Sequence, residues 1–300
     1  LKTAFLATGK PRVIAYRGAY HGLSPGALQV GGIEKFRTPF APLIADLATF
    51  LPFPGMSTSA ADALDEVREA LATDPDIGAI VVEPIQGRGG VIVPPDGFLT
   101  GLRALCDERG VLLILDEIYT GFGRTGTMFA CEREGVVPDL LCVGKALGGG
   151  VPISATIGTA RVMDAWPIST GEALHTSTFL GNPLACAAAL ANLDQLAELD
   201  LVARVRAREP QLAARLRELL RYSTVTDVRG RGFLWGIEFA DAALANRVVV
   251  RGLALGVVLL QSGPTGTSIT IAPPLTIDDR QLARALALFE QAVQQTEESR

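Results

Sequence analysis

The chain has 300 residues, 48% of them hydrophobic and 20% charged, and a net charge of -5 from 27 Lys+Arg against 32 Asp+Glu. That length and apolar content can bury one large core or two smaller ones. The scattered basic residues give no electrostatic footprint for nucleic acid, and no apolar run reaches the length of a membrane span.

Residues 1–8 read as the tail of a helix, stopped by Gly9 with Pro11 just beyond. That helix has no start of its own, and the chain has no initiator Met, so a further N-terminal region is expected upstream. Leu1-Lys-Thr-Ala-Phe5 carries neither the charged lead nor the cleavage site of a secretory signal, which makes the cytoplasm the expected compartment. Short apolar runs at 12–16, 77–82, 111–115 and 140–143 are continuous rather than alternating, the pattern of strands covered on both faces. Between them, Leu64, Val67 and Leu71, then Leu99, Leu102 and Cys106, recur at helical spacing. Strand and helix in alternation imply right-handed crossovers and a mainly parallel sheet.

Asn182-Pro183 marks a helix start, with Asn as the cap and Pro at the first helical position. The helix is expected to be interrupted near Glu209-Pro210 and resumed over 211–221. Strands are expected at 225–228, 233–239, 257–260 and 268–271, then a closing helix over 278–295. The fold class is therefore α/β: a large domain with a mainly parallel sheet over 1–200, and a smaller α+β domain over 201–300.

Side chains just past the carboxyl ends of parallel strands meet in one crevice. The run at 111–115 delivers Asp116 there, the run at 140–143 delivers Lys145, and the two stand about one strand-to-strand crossover apart. A carboxylate and an amine together suit pyridoxal phosphate, which needs an amine for its aldehyde and a carboxylate for its ring nitrogen. Three other readings stay open on these residues alone. Asp116-Glu117 also resembles the magnesium-binding strand end of a P-loop ATPase, although the residues around Lys145 do not form the matching phosphate loop. Asp116 could instead cap a loop, and Lys145, beside several glycines, could be an exposed loop residue.

The run at 77–82 adds Glu83 and a glycine-rich loop to the same edge, and the run at 12–16 adds Tyr20, a flat surface for an aromatic ring, and His21. Two histidines are too few for a histidine-rich metal site, and no metal is expected. The four cysteines show no CxxC pairing and read as core thiols.

Taken in order, Tyr20-His-Gly, Glu83-Pro-Ile-Gln-Gly, Asp116-Glu-Ile-Tyr-Thr-Gly-Phe-Gly-Arg-Thr-Gly, Gly144-Lys and Ala272-Pro-Pro-Leu resemble the class III aminotransferases. This is the branch of fold type I pyridoxal phosphate enzymes that includes ornithine, acetylornithine and 4-aminobutyrate aminotransferases, and the resemblance runs from about residue 12 to 276. It implies that Lys145 forms the Schiff base with the cofactor and that Asp116 pairs with the pyridine nitrogen. Ile118 and Tyr20 would pack on opposite ring faces with His21 nearby, and Tyr119 would stand where a glutamine commonly approaches the cofactor's 3-oxygen. Thr178 would reach the cofactor phosphate of a neighbouring subunit, making a homodimer with shared active sites. Glu83 would lie near the substrate. A phosphate-binding loop would lie just upstream of Leu1.

Three departures bear on substrate, the first being Tyr119 in place of that glutamine. Thr270 stands where ornithine-type enzymes carry a carboxylate-binding arginine, and Arg88 stands where they carry a glutamate. Either Arg88 supplies the carboxylate contact, since a guanidinium fork suits a carboxylate, or Arg88 is solvent-exposed and the amino substrate has no α-carboxylate. The expected function is amino transfer between an amino acid or amine and a keto acid or aldehyde. An aminomutase, racemase or decarboxylase of the same fold, or a non-catalytic dimeric relative, are the alternatives.

Overall fold

A computed structural model describes residues 1–55 and 58–299. The first part of the chain runs α1 (Lys2–Thr8), β1 (Arg12–Tyr16), α2 (Pro25–Leu28), α3 (Glu34–Arg37), β2 (Ala48–Leu51), α4 (Ala60–Thr73), β3 (Ile77–Val82), α5 (Phe98–Arg109), β4 (Leu112–Asp116), β5 (Leu140–Val143), β6 (Ala155–Gly158) and α6 (Ala160–Met163). Its strands form one six-stranded sheet in the order β2-β1-β3-β4-β5-β6, parallel throughout except for β6, which runs antiparallel to β5.

Alternation along each strand sorts this sheet into two buried faces. Ile14, Tyr16, Ile80, Val82, Leu113, Leu115 and Val143 pack with Val67 of α4 and with Leu102 and Cys106 of α5. Val13, Ala15, Ala79, Val81, Leu112, Ile114 and Leu140 pack with Ala4 of α1 and Val162 of α6. Burial on both faces is why β3 and β4 read as unbroken apolar runs: every residue of both strands is buried. Gly9, at φ 69, ends α1 with its N–H on the Phe5 carbonyl.

The chain continues through α7 (Pro183–Glu198), α8 (Leu201–Arg217), β7 (Val225–Arg231), β8 (Leu234–Phe239), α9 (Ala242–Leu255), β9 (Leu260–Ser262), β10 (Ser268–Ile271) and α10 (Asp279–Glu297). Asn182 caps α7, its side chain accepting from the N–H groups of Leu184 and Ala185 at 3.0 and 3.2 Å. The second sheet is antiparallel, in the order β7-β8-β10-β9. Trp235, Ile237, Phe239 and Ile269 from its strands form one core with Leu212, Leu216, Val248, Phe289 and Val293 from α8, α9 and α10.

Two expected boundaries are corrected. The helix break falls at Asp200, in the left-handed region at φ 45, and α8 then runs unbroken through Pro210. Proline costs a helix one N–H bond, but Pro210 is on the exposed side, where water can reach the freed carbonyl, while Val205, Leu212 and Leu216 hold the buried side. The strand expected at 257–260 is displaced to Leu260–Ser262, because the Val257 N–H closes the end of α9 on the Gly252 carbonyl at 2.8 Å. Strands β2 and β6 were not anticipated: each has four residues at a sheet edge, and β6 is largely exposed, so neither carries the apolar run that marks its neighbours.

Candidate active site

The carboxyl ends of β1, β3, β4 and β5 lie side by side, and each releases one or more of the expected residues. Asp116 ends β4 with only 9% of its side chain exposed. Its Oδ1 accepts the Ile118 N–H at 3.0 Å, which turns the chain out of the strand, and its Oδ2 meets His21 Nδ1 at 2.7 Å. His21 arrives from the loop after β1, across the end of β3. Burial opposes its charged form, but the hydrogen bond and charge of Asp116, with Glu83 behind them, raise its pKa above the ordinary value. The His21 Nε2 is buried without a hydrogen-bond partner among the described residues.

Glu83 follows β3 and fills the gap between these loops. Its two oxygens accept the Tyr20 N–H at 2.8 Å and the Gly87 N–H at 3.0 Å, so it ties the Tyr20–His21 loop to its own. Burial pushes its carboxyl up to about 7; Asp116 adds to the rise, while His21 and the two N–H groups oppose it. Gln86 makes a second tie, from Nε2 to the Arg17 carbonyl at 2.8 Å.

Lys145 follows β5 and Gly144 and holds φ 43, a left-handed conformation uncommon outside glycine. Its Nζ stands 4.5 Å from the centroid of the Tyr119 ring. Desolvation and the nearby Arg88 lower its pKa, against the pull of Asp116 and Glu83. The amine is thus held closer to neutral than a free lysine, as a nucleophile or base requires. Tyr119 itself packs against Gly87 so closely that a Cβ there would lie 2.2 Å from Cδ1 of the ring. Only glycine fits beneath it.

Arg88 is exposed, with its guanidinium 5.7 Å from the centroid of the Tyr20 ring and 5.8 Å from that of Phe36. Among the described residues no carboxylate forms an ion pair with it. Thr270 is buried on the second sheet, its hydroxyl 2.7 Å from that of Ser262. Thr178 lies in an exposed stretch and is itself exposed, although Ser177 and Phe179 on either side line a cavity of about 500 Å³ together with Lys145 and Asn182. A larger cleft of about 1140 Å³ is lined by His21, Asp116, Ile118, Ser154 and Leu180.

Two residues that shape the site were not singled out. Glu117, fully buried beside Asp116, accepts the N–H groups of Ala130 and Cys131 at 3.0 and 2.9 Å and the Thr120 hydroxyl, closing the loop 117–131 on itself. Burial raises its pKa against those bonds. Arg124 donates to the carbonyls of Phe233 and Pro273 at 3.2 and 2.5 Å, tying that loop to the second sheet. The Asp-Glu pair and the glycine-flanked arginine were visible signals, but the backbone partners of Glu117 lie at the far end of its own loop and those of Arg124 are remote in sequence.

A family model described as "Aminotransferase class-III" matches residues 1–293. The chain belongs to the class-III aminotransferases. A transaminase from the marine bacterium Virgibacillus superposes with a TM-score of 0.91 at 26% identity, covering 99% of this chain and 72% of its own. The taurine:2-oxoglutarate aminotransferase of Bifidobacterium kashiwanohense, solved with PLP and glutamate, gives 0.89 at 28% identity, with the same coverage of 99% and 72%. The ornithine aminotransferase of Toxoplasma gondii ME49 gives 0.89 at 34% identity, covering 100% of this chain and 70% of its own. This aminotransferase has the fold-type I architecture, a mainly parallel sheet flanked by helices, and catalyses amino transfer of the pyridoxal phosphate-dependent kind.

The residues present fit that cofactor. A buried carboxylate, an amine shifted toward its neutral form and a buried imidazole nitrogen with no partner border roomy clefts. Among the described residues no three His, Cys, Asp or Glu side chains cluster to hold a metal ion. No helix among the described residues is long and apolar enough to cross a membrane.

Proposed function

We propose that the four adjacent strand ends form the cofactor and substrate site of this aminotransferase, and that its substrates carry a carboxylate. The observation that carries the reading is the meeting of Asp116 and His21, Glu83, and Lys145 along one sheet edge. When bound, pyridoxal phosphate supplies an aldehyde that condenses with amines and a protonated ring that takes up an electron pair.

Lys145 Nζ would hold the aldehyde, and when free the same nitrogen, with its lowered pKa, would take and return the proton at the substrate carbon. Asp116, oriented by the Ile118 N–H and by His21, would keep the proton on the ring nitrogen. Tyr20 and Ile118 would pack on opposite faces of the ring, and the Tyr119 ring lies 4.5 Å from the lysine amine. Arg88, with no acid of its own, takes the substrate carboxylate beside Tyr20. Glu83 fixes the loop that presents Tyr20 and His21.

Exposed Phe179, Leu180, Leu184 and Leu190 lie on and just before α7, beside the Lys145 cavity, and support a homodimer in which Thr178 serves the partner's cofactor phosphate. The separate cores of the two sheets support a large domain over 1–200 and a small one over 201–300. Four free cysteines suit the cytoplasm. The test is a titration of pyridoxal phosphate into the protein, followed by visible absorbance. A saturable Schiff-base band, red-shifted from the free aldehyde, that a keto acid restores after an amino acid has bleached it is the expected result, with only the free-aldehyde absorbance in Lys145→Ala. A red-shifted Schiff-base band in Lys145→Ala before any amine is added would overturn the reading.

A further inference from the structure

Arg88 can recognise a carboxylate only if its own backbone is held in place, and the structure shows what holds it. The turn that carries it closes by paired bonds between Gln86 and Ile92, both 3.1 Å, and by the N–H groups of Gly90 and Val91 on the Gly87 carbonyl. Val91 has φ 56, a left-handed conformation that a β-branched residue rarely adopts. Such a conformation persists only where the surroundings impose it.

The imposing groups come from the second sheet. Arg229 on β7 donates from Nε to the Val91 carbonyl at 3.1 Å and from Nη2 to the Gly90 carbonyl at 2.7 Å. Glu238 at 2.7 Å and Asp227 at 2.8 Å hold the rest of the guanidinium, whose side chain is only 11% exposed. The Gly263 N–H donates to the carbonyl of Arg88 itself at 3.1 Å. On β8, Gly236 lies so near that a Cβ there would be 2.6 Å from the Gly90 oxygen. The backbone of Arg88 is therefore fastened to the second sheet, while its side chain extends to Tyr20 and Phe36 beside the first.

We propose that Arg229 is a positioning residue for substrate recognition: by gripping the Gly90 and Val91 carbonyls, it sets where the Arg88 guanidinium stands in the cleft. The second sheet thereby controls affinity for carboxylate-bearing substrates, an inference that rests on the carboxylate role proposed for Arg88. A planar fork spans both carbonyls, whereas an ammonium is a single compact charge. Arg229→Ala would strand Glu238 and endanger folding. Arg229→Lys keeps a cation beside Glu238 and Asp227 and removes the double grip.

The experiment uses the complete enzyme loaded with pyridoxal phosphate, and compares 2-oxoglutarate with butyraldehyde as acceptors in wild type, Arg229→Lys, Arg88→Ala and the double variant. Arg229→Lys should raise KM for 2-oxoglutarate about tenfold, change kcat by less than about twofold, and leave KM for butyraldehyde in place. It should add nothing in the Arg88→Ala background, and amide hydrogen exchange over residues 86–92 should quicken. A wild-type KM in Arg229→Lys, an equal shift for both acceptors, or full additivity with Arg88→Ala would overturn the inference. Arg88→Ala with an unchanged KM for 2-oxoglutarate would defeat the Arg88 reading itself; an effect of Arg88→Ala without one of Arg229→Lys defeats the Arg229 inference alone.

Discussion

Glu83 after β3 and Glu117 after β4 are both buried, and each accepts two backbone N–H bonds. Each opens a loop that also carries an arginine. Glu117 takes its donors from its own loop, and the arginine of that loop, Arg124, is tied to two carbonyls of the second half of the chain. Glu83 takes one donor from a different loop and sits within the fields of Asp116 and His21, and its arginine, Arg88, has no ion-pair partner among the described residues. One device thus serves two ends: a closed loop with its charges consumed is scaffold, and a loop with an unspent charge beside the Lys145 amine is the proposed site.

The comparison breaks first, and most visibly, at Glu117. Glu117→Ala leaves buried N–H groups of Ala130 and Cys131 without acceptors and should cost about 4 kcal/mol by urea unfolding. A loss smaller than that of Glu83→Gln would reverse the assignment of scaffold and site.

Glu83 is distinguished instead by pH. Its folded pKa of about 7 lies above the ordinary 4.5, so between those values the folded chain keeps a proton that the unfolded chain has released. Its contribution to stability is complete below pH 4.5 and is lost as the pH rises toward 7, by about 3 kcal/mol in all. Glu83→Gln has no such proton to lose, so urea midpoints measured across that window should fall less steeply with pH than those of wild type. Parallel slopes would show that Glu83 is not buried among these charges.

Gly87→Ala drives a methyl into the Tyr119 ring and should cost about 2 kcal/mol while moving the ring from beneath Lys145. Calorimetry reads the first effect, and the pH at which the cofactor absorbance changes reads the second. The smallest effects separate the two arginines. Arg88→Ala should raise KM for a keto acid about tenfold, near 1.4 kcal/mol, with little change in melting temperature. Arg124→Met should lower the melting temperature and affect charged and uncharged acceptors alike, since its donors serve only backbone carbonyls.

The sheet was legible because burial on both faces writes continuous apolar runs into β3 and β4, and the strand ends then announce Glu83, Asp116 and Lys145. The edges were not, because β2 and β6 are short and partly exposed. Pro210 misled because the penalty of proline in a helix depends on whether the freed carbonyl meets water, which is a tertiary fact. The His21–Asp116 bond and the grip of Arg229 on residues 90 and 91 join positions far apart in the chain, through partners that no local pattern encodes, and the clasp at Glu117 depends on how its own loop folds back.

Lys145 in the strand-end crevice is the proposed anchor of pyridoxal phosphate. The most direct test is borohydride reduction of the protein mixed with pyridoxal phosphate, followed by peptide mass mapping. The expected result is a cofactor mass increment on the peptide containing Lys145 and none on those containing Lys2, Lys10 or Lys35. Labelling spread over those lysines, or absent from Lys145, would contradict it.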